Sequence, residues 1–227
     1  MLINQAYKLK HLQAFLEGKI KGDFDCFITN ICFDTRHFIG DNQHLFIAIE
    51  TNKRDGHDFI EEAYNKGVRL FLIHKKLNSY KSDASYLIVC NTIDALQNWA
   101  KHHRSKFNLP VLAIAGSYGK TIVKEWIYHF LRADKNIIRS PKSYNSKLGV
   151  ALSLLTINES HDLAIIETSV SKSGEMSLVK EMINPTHSII TSYKMNFSKK
   201  FESRPPEAPG SPRGAPERLS EHYRTKT

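Results

Sequence analysis

The pattern of hydrophobic and polar positions is most regular between residues 111 and 192, where short apolar runs alternate with longer amphipathic stretches. The apolar runs predict the strands Val111–Ala115, Asn136–Arg139, Leu163–Glu167 and Ser188–Ser192. The stretches between them predict the helices Lys120–Arg132, Lys147–Thr156 and Gly174–Ile183. Strands and helices that alternate at this spacing form βαβ units, so we expect an α/β fold with a mostly parallel sheet.

Residues 1–108 have a less regular pattern, which indicates a separate small α/β domain. The predicted strands are Phe27–Phe33, His44–Ile49, Arg69–Ile73 and Tyr86–Cys90, and the predicted helices are Asp58–Lys66 and Asp94–Phe107. Asn108-Leu109-Pro110 is the expected junction, because the residue before a proline is pushed out of helical geometry. We therefore predict two domains, residues 1–108 and residues 109–192.

The apolar periodicity disappears after Ser192. Residues 204–216 read RPPEAPGSPRGAP and contain five of the eight prolines of the chain. Such a stretch cannot bury enough apolar surface to offset the entropy lost on ordering. We therefore expect residues 193–227 to form a disordered tail.

The composition is that of a soluble globular protein. Of the 227 residues, 41% are hydrophobic and 24% are charged, and no apolar run approaches the roughly 20 residues of a membrane-spanning helix. The first 18 residues lack the apolar block and cleavage site of a signal peptide, so we expect a cytoplasmic protein with no membrane partner. The three cysteines are too few and too scattered for a disulfide framework, and we expect them to be buried and reduced.

The net charge of +9 makes nucleic-acid binding worth testing. Residues 193–227 hold eight Lys or Arg against four Asp or Glu and so supply +4 of this charge. The remaining +5 is spread over 192 residues, without a basic stripe interleaved with aromatic residues. A modest basic excess also suits a protein whose ligands are anionic nucleotides, so we expect no nucleic-acid partner.

The strongest motif lies between the first strand and the first helix of the regular region. It reads Gly116-Ser117-Tyr118-Gly119-Lys120-Thr121. Glycines let the backbone curl so that its N–H groups point at phosphate oxygens, and the helix N-terminus adds the positive end of its dipole. Lys120 can reach the β- and γ-phosphates of a nucleotide, and the Thr121 hydroxyl can hold Mg²⁺. The match is partial, because the usual P-loop spacing has a further glycine at the position of Ile114.

Two further polar residues lie at or after the ends of predicted strands. Glu167 ends a strand, where P-loop proteins need an acidic group to position the metal. Asn145 follows another strand, and its side chain could bond a phosphate oxygen or a metal-bound water. Capping of the next helix by Asn145 or Ser146 accounts for this segment equally well. Ligands of parallel sheets bind at the carboxyl ends of the strands, so we expect these loops to converge.

Six segments in one order resemble the Mur ligase family. They are Asp34-Thr35-Arg36, Leu45-Phe46-Ile47-Ala48-Ile49, Asp55-Gly56-His57-Asp58-Phe59, GSYGKT from Gly116, SPKSYNSKLGV from Ser140 and ETSVSKSGEM from Glu167. The series spans residues 34–192, and six motifs in order are far more specific than any one of them. The resemblance implies an ATP-dependent ligase of peptidoglycan precursor synthesis. It is strongest to members that add D-alanyl-D-alanine to a UDP-N-acetylmuramoyl tripeptide.

The resemblance also implies a reaction and the residues that perform it. ATP would phosphorylate the terminal carboxylate of the tripeptide, and the amine of D-alanyl-D-alanine would attack the acyl phosphate to give an amide. Lys120, Asn145 and Glu167 are the implied catalytic residues, with Thr121 and Glu167 as ligands of Mg²⁺. The residues implied for the UDP moiety are Thr35, Arg36, Asn52, Lys53 and Asp55. Solvated loop side chains remain the alternative at these five positions, and we expect a monomer.

The chain departs from the family pattern in several places. Tyr118 stands where the family usually has asparagine, and Ser169 and Thr51 stand where it has glycine. Phe197 stands where a metal-holding histidine is expected, and residues 193–227 do not resemble the rest of the family pattern. We therefore expect a truncated and catalytically inactive member of the family. A non-catalytic remnant that binds UDP-sugar and ATP, and an unrelated P-loop kinase or ATPase, remain the alternatives.

Overall fold

The computed structural model describes residues 2–36, 41–169 and 175–192. Phe197 and the predicted disordered tail, residues 193–227, lie outside these ranges. The described residues form two main sheets, one before residue 90 and one after residue 110, with helices packed on both, and one small two-stranded sheet. The α/β class with mostly parallel sheets is therefore confirmed.

The first sheet has a parallel centre and antiparallel edges. The strands of this part of the chain are β1 (Leu2–Lys8), β2 (Lys19–Lys21), β3 (Phe27–Cys32), β4 (His44–Ile47), β5 (Glu50–Thr51), β6 (Arg54–Asp55), β7 (Leu70–Ile73) and β8 (Ser85–Ile88). Six of them form a sheet in the order β1-β3-β4-β7-β8-β2, and β5 and β6 form a separate hairpin. β3, β4, β7 and β8 run parallel, so their carboxyl ends share one edge. The central strands β4 and β7 read as apolar runs because residues on both faces are buried.

Three α-helices accompany the first sheet, namely α1 (Leu9–Leu16), α2 (Ile60–Asn65) and α3 (Thr92–Arg104). The first two residues of the predicted helix Asp58–Lys66 belong to a 3₁₀ turn over Gly56–Phe59, and the α-helix begins at Ile60. The Asp55 side chain caps the 3₁₀ turn by accepting a hydrogen bond from the His57 amide. The helix predicted over Asp94–Phe107 begins two residues earlier than predicted, since the Asn91 side chain accepts hydrogen bonds from the amides of Ile93 and Asp94.

The elements β1, α1 and β2 were not predicted from the sequence. Lys8, Lys10 and His11 interrupt the apolar pattern of this segment, although Leu12 and Leu16 lie four residues apart on the buried face of α1. β1 pairs with β3 through an irregular register, which removes the strict alternation that marks a strand. Charged residues therefore hid α1, and the irregular register hid β1.

The second sheet has four parallel strands, β9 (Val111–Ala115), β10 (Ile137–Arg139), β11 (Leu163–Glu167) and β12 (His187–Ile190). Their order is β10-β11-β9-β12, so β9 lies between β11 and β12. The connecting helices are α4 (Lys120–Leu131), α5 (Lys147–Leu154) and α6 (Glu175–Ile183). The strands β9 and β11 have their predicted ends, whereas β12 begins and ends before the predicted Ser188–Ser192.

Helix α3 packs against α1 on one side and against α5 and α6 on the other. Trp99, fully buried in α3, belongs to an apolar core that includes residues of both sheets. The buried Arg104 guanidinium donates hydrogen bonds to the carbonyls of Ile183, Asn184, Phe107 and Leu109. One cation thus joins the end of α6 to the segment that leads into β9. The predicted domain division at residues 108 and 109 stays a prediction.

The three cysteines are free thiols. Cys32 is buried, and burial raises the pKa of its thiol to about 12. The expected burial is wrong for Cys90, which is exposed just before the residue that caps α3, and Cys26 is half-buried. Among the helices that the structure describes, none is both long and apolar enough to span a bilayer.

His103 of α3 is a buried histidine with hydrogen bonds at both ring nitrogens. Its Nε2 lies 2.9 Å from the Ile157 carbonyl, which can only accept, so Nε2 carries the proton. Nδ1 of the neutral ring then accepts from the Tyr7 hydroxyl at 2.7 Å. Burial lowers the pKa of His103 to about 4, because a charged ring would lose its hydration.

Folding stability should therefore fall as the pH is lowered. The unfolded state binds a proton at His103 near pH 6.5 and the folded state near pH 4, so the stabilisation is complete above pH 6.5 and is lost between these values. The full difference corresponds to about 3 kcal/mol. Urea unfolding of His103→Gln should show a smaller loss over this range, and the exposed His129→Gln should behave as wild type. An unchanged pH profile in His103→Gln would contradict the assignment.

Candidate active site

The loop between β9 and α4 curls at two glycines. Gly116 has φ of +132° and Gly119 has φ of +81°, both in the region that favours glycine. A Cβ on Gly116 would also lie 2.4 Å from the Thr191 hydroxyl, whereas a Cβ on Gly119 would meet no atom closer than 3.8 Å. The predicted phosphate loop therefore joins a strand to a helix N-terminus, which is the setting that anion binding requires.

Thr191 and Ser192, which follow β12, form hydrogen bonds with this loop. The Ser117 amide donates to the Ser192 carbonyl and the Tyr118 amide donates to the Ser192 hydroxyl, each at 2.9 Å. The Thr191 hydroxyl donates to the Tyr118 carbonyl. Two loop amides thus have protein partners. A phosphate that accepted hydrogen bonds from these amides would have to displace Ser192. Sequence reasoning missed this contact, because it depends on β12 being the neighbour of β9.

Lys120 folds back over the loop that it follows. Its Nζ donates to the Gly116 carbonyl at 2.8 Å and lies 3.5 Å from the Ser117 carbonyl. The ammonium therefore lies beside the curled backbone, at the N-terminus of α4. The Tyr118 side chain projects outward with 68% of its surface exposed, so its ring is not packed inside the loop.

Glu167 brings the three predicted loops together. Its carboxylate is buried, with Oε2 accepting from the Thr121 hydroxyl and Oε1 accepting from the Asn145 side-chain amide, both at 2.9 Å. Thr121 follows β9, Asn145 follows β10, and Glu167 ends β11. The expected convergence of these loops at the carboxyl edge is confirmed.

The two explanations of the segment around Asn145 can now be separated. The Ser146 hydroxyl accepts from the Gly149 amide at 3.2 Å and so caps α5. The Asn145 side chain instead turns toward Glu167, and the Asn145 carbonyl accepts from the Ser169 amide at 2.8 Å. The cap is therefore Ser146, and Asn145 belongs to the carboxylate cluster.

Lys124 and Ser140 complete this cluster and were not found in the sequence. The Lys124 ammonium lies 3.5 Å from Glu167 Oε2 and donates to the Ser140 carbonyl at 2.9 Å. The Ser140 hydroxyl accepts from the Glu167 amide at 3.0 Å. The available sequence signal was spacing, because Lys124 is four residues from Lys120 and so lies on the same face of α4.

The residues predicted to bind the UDP moiety lie in loops at the carboxyl edge of the first sheet. Thr35 is fully buried, and its carbonyl accepts from the Lys66 ammonium. Arg36 is exposed and pairs with Asp34, holding the pKa of that carboxyl well below its usual range. Arg54, on the neighbouring hairpin, lies 3.7 Å from the same carboxylate. The loop after β3 and the β5–β6 hairpin are therefore adjacent.

The hairpin residues divide into exposed and internally bonded side chains. Asn52 and Lys53 lie exposed at the tip. Asp55 accepts from the Lys75 ammonium at 2.6 Å and lies 2.7 Å from Nδ1 of His57, so its carboxylate is used within the protein. The substrate roles of Thr35, Arg36, Asn52, Lys53 and Asp55 stay predictions.

Two family models match consecutive parts of the chain. The Mur ligase family, catalytic domain, matches residues 28–115, and the Mur ligase middle domain matches residues 114–196. The chain belongs to the Mur ligase family. The matched region begins before and ends slightly after the series of motifs seen in the sequence.

Individual relatives agree with this assignment. The UDP-N-acetylmuramoyl-tripeptide–D-alanyl-D-alanine ligase of Synechocystis is 30% identical over 193 residues, which are 83% of this chain and 42% of that protein. MurF from Acinetobacter baumannii shares the fold with a TM-score of 0.75 at 22% identity, over 84% of this chain and 41% of its own. MurF ligase from Thermotoga maritima in complex with ADP is 25% identical with a TM-score of 0.60, over 69% and 35% respectively. This Mur ligase chain thus spans about two fifths of the curated relative's length.

A side chain at Gly116 should be far more costly than one at Gly119. Gly116→Ala combines backbone strain with a clash against Thr191, so we expect a loss of about 3 kcal/mol in unfolding free energy. Gly119→Ala has strain without a clash and should lose about 1 kcal/mol. Urea denaturation of both variants measures the difference, and equal losses would show that Thr191 does not restrict the space beside Gly116.

Proposed function

We propose that this chain binds ATP with Mg²⁺ at the second sheet and a UDP-N-acetylmuramoyl peptide at the first. The reaction that these ligands serve is the D-alanyl-D-alanine addition named for its relatives, and the expectation that this chain is truncated and inactive in that reaction stays a prediction. The observation that supports the proposal best is the meeting of Thr121, Asn145 and Glu167 beside the phosphate loop. A relative that is 25% identical has been solved in complex with ADP, which supports a nucleotide ligand.

The chemistry requires a carboxylate to attack a phosphate that is itself negatively charged. The carboxylate oxygen would bond to the γ-phosphorus of ATP as ADP leaves. The amine of D-alanyl-D-alanine would then attack the carbonyl carbon of the acyl phosphate, and inorganic phosphate would leave as the amide forms. Both steps need positive charge beside the phosphates, and the Lys120 ammonium lies at the loop that would hold them.

The oxygen atoms beside the loop fit a magnesium ion. Mg²⁺ in nucleotide sites is bound through one or two protein oxygens together with phosphates. Thr121 Oγ1 and Glu167 Oε2 lie 2.9 Å apart and are the oxygens that would hold it. When bound, the ion would neutralise charge on the phosphates. Asn145 keeps the Glu167 carboxylate oriented through its side-chain amide.

The non-catalytic alternative has one observation in its favour. Ser192 bonds the amides of Ser117 and Tyr118, which a phosphate would otherwise use. A phosphate-release assay with ATP, UDP-N-acetylmuramoyl tripeptide and D-alanyl-D-alanine separates the two functions. Release that requires all three substrates supports the ligase, and binding without release supports the non-catalytic alternative.

Nucleotide binding should depend on Lys120 and should be strengthened by metal through Glu167. Calorimetric titration of Lys120→Met with ATP and Mg²⁺ should show an affinity loss of about 10-fold or more, because a charge-assisted contact to phosphate is removed. Glu167→Gln should bind metal-free ATP nearly as wild type but gain less from Mg²⁺. Lys135→Met, which removes an exposed lysine beyond the far end of α4, is the control. Wild-type affinity in Lys120→Met would refute the site.

The first sheet should bind the UDP-sugar peptide independently of ATP. Arg36→Ala should weaken that binding by about 10-fold, since an exposed guanidinium suits a diphosphate. Lys19→Ala, on the edge strand β2, removes a positive charge elsewhere and should leave binding unchanged. The measurement is calorimetry with UDP-N-acetylmuramoyl tripeptide, and equal effects of the two substitutions would count against a specific site.

A further inference from the structure

Lys124 is a fully buried lysine in the second turn of α4. Lysine is among the residue types least often buried, because removing an ammonium from water costs several kcal/mol unless partners replace the water. The side chain cannot reach a ligand through solvent, and it differs in this from Lys120 one turn earlier. Its partners therefore indicate what it does.

The partners of Lys124 come from the ends of β10 and β11 and from its own helix. The ammonium donates to the carbonyls of Ser140 and Lys142, which follow β10. It lies 3.5 Å from Glu167 Oε2, at the end of β11, and 3.4 Å from Glu125 Oε1 on its own helix. Since α4 follows β9, one ammonium connects the loops that carry Thr121, Asn145 and Glu167.

The segment that Lys124 holds is strained and leads directly to Asn145. Lys142 has φ of +49°, a left-handed conformation that is unfavourable for a residue with a Cβ. Ser140 is fixed by its amide, which donates to the Ile165 carbonyl, and by its hydroxyl, which accepts from the Glu167 amide. The turn also has two internal backbone bonds, from the Tyr144 amide to the Pro141 carbonyl and from the Asn145 amide to the Ser143 carbonyl, and the bonds from Lys124 tie it to α4.

The same ammonium faces a carboxylate that is 1% exposed. The hydrogen bonds from Thr121 and Asn145 are neutral, so the positive charge beside Glu167 comes from Lys124. A buried carboxylate with this charge nearby stays in place before any ligand arrives. We propose that Lys124 is a positioning residue that holds Glu167 and the Asn145 loop ready for a magnesium nucleotide; the ligand part of this inference rests on the proposed function.

Amide hydrogen exchange tests the positioning role without any ligand. In the full chain, Lys124→Met should raise exchange in residues 140–146 by about 10-fold or more, because the turn loses its donor. Lys142→Met is the matched control, since it makes the same substitution on an exposed side chain in the same turn. Exchange in the strands of the first sheet should be unchanged in both variants. Wild-type protection of residues 140–146 in Lys124→Met would overturn the proposal.

A second pair of variants covers the case in which Lys124→Met does not fold. Loss of the ammonium leaves Glu167 as a buried charge without a counter-ion, which is strongly destabilising. The double variant Lys124→Met/Glu167→Gln removes both charges and is compared with Glu167→Gln alone. Exchange in residues 140–146 should still be faster in the double variant, because the carbonyls of Ser140 and Lys142 lose their donor in both backgrounds. Equal exchange in the two would contradict the proposal.

Titration with ATP in the presence and absence of Mg²⁺ distinguishes positioning from general damage. Lys124→Met should weaken binding of the magnesium nucleotide by about 10-fold and of metal-free ATP by less than about 3-fold, as expected for a residue behind a metal ligand. Equal weakening of both would indicate a merely structural residue and overturn the proposal. If the wild-type chain binds no nucleotide, the proposed function fails, and the exchange comparison still decides the role of Lys124.

Discussion

Burial of the Glu167 carboxylate removes a negative charge from water, which would cost several kcal/mol without partners. The protein supplies those partners from two segments: the hydroxyl of Thr121 and the ammonium of Lys124 lie on α4, and the side-chain amide of Asn145 lies in the loop after β10. Each segment follows a different parallel strand. The loops at this edge must therefore converge on Glu167. The same contacts also hold the phosphate loop in place, because Thr121 belongs to it.

The sequence predicted the centre of the second sheet well because β9 and β11 are largely buried on both faces. Val111–Ala115 and Leu163–Glu167 read as continuous apolar runs bounded by glycine or polar residues, and both have their predicted ends in the structure. The carboxyl-edge rule for parallel sheets then placed Glu167 and Asn145 near the glycine loop. Lys124 could not be found in this way. A lysine on an amphipathic helix normally indicates a solvent-facing position, and only the packed structure shows that this one points inward.

The first sheet shows what could not be predicted from the sequence. The motifs around Thr35 and Asp55 lie in loops at the carboxyl edge of the sheet, but the sequence does not say which of their side chains are bonded within the protein. Asp55 is bonded to Lys75 and His57, and Thr35 is buried, whereas Asn52 and Lys53 are exposed. Hydrogen-bond partners distant in the chain decide this division. The irregular β1 pairing was hidden for a similar reason, since its register depends on β3.

The Arg104 guanidinium bonds neutral carbonyls at the end of α6 and in the segment before β9. These acceptors include carbonyls at a helix C-terminus, where the macrodipole attracts a cation. A swing of one sheet relative to the other would have to break several of these bonds together and expose Trp99. The two sheets should therefore turn as one rigid block, and any hinge of the chain must lie outside this junction.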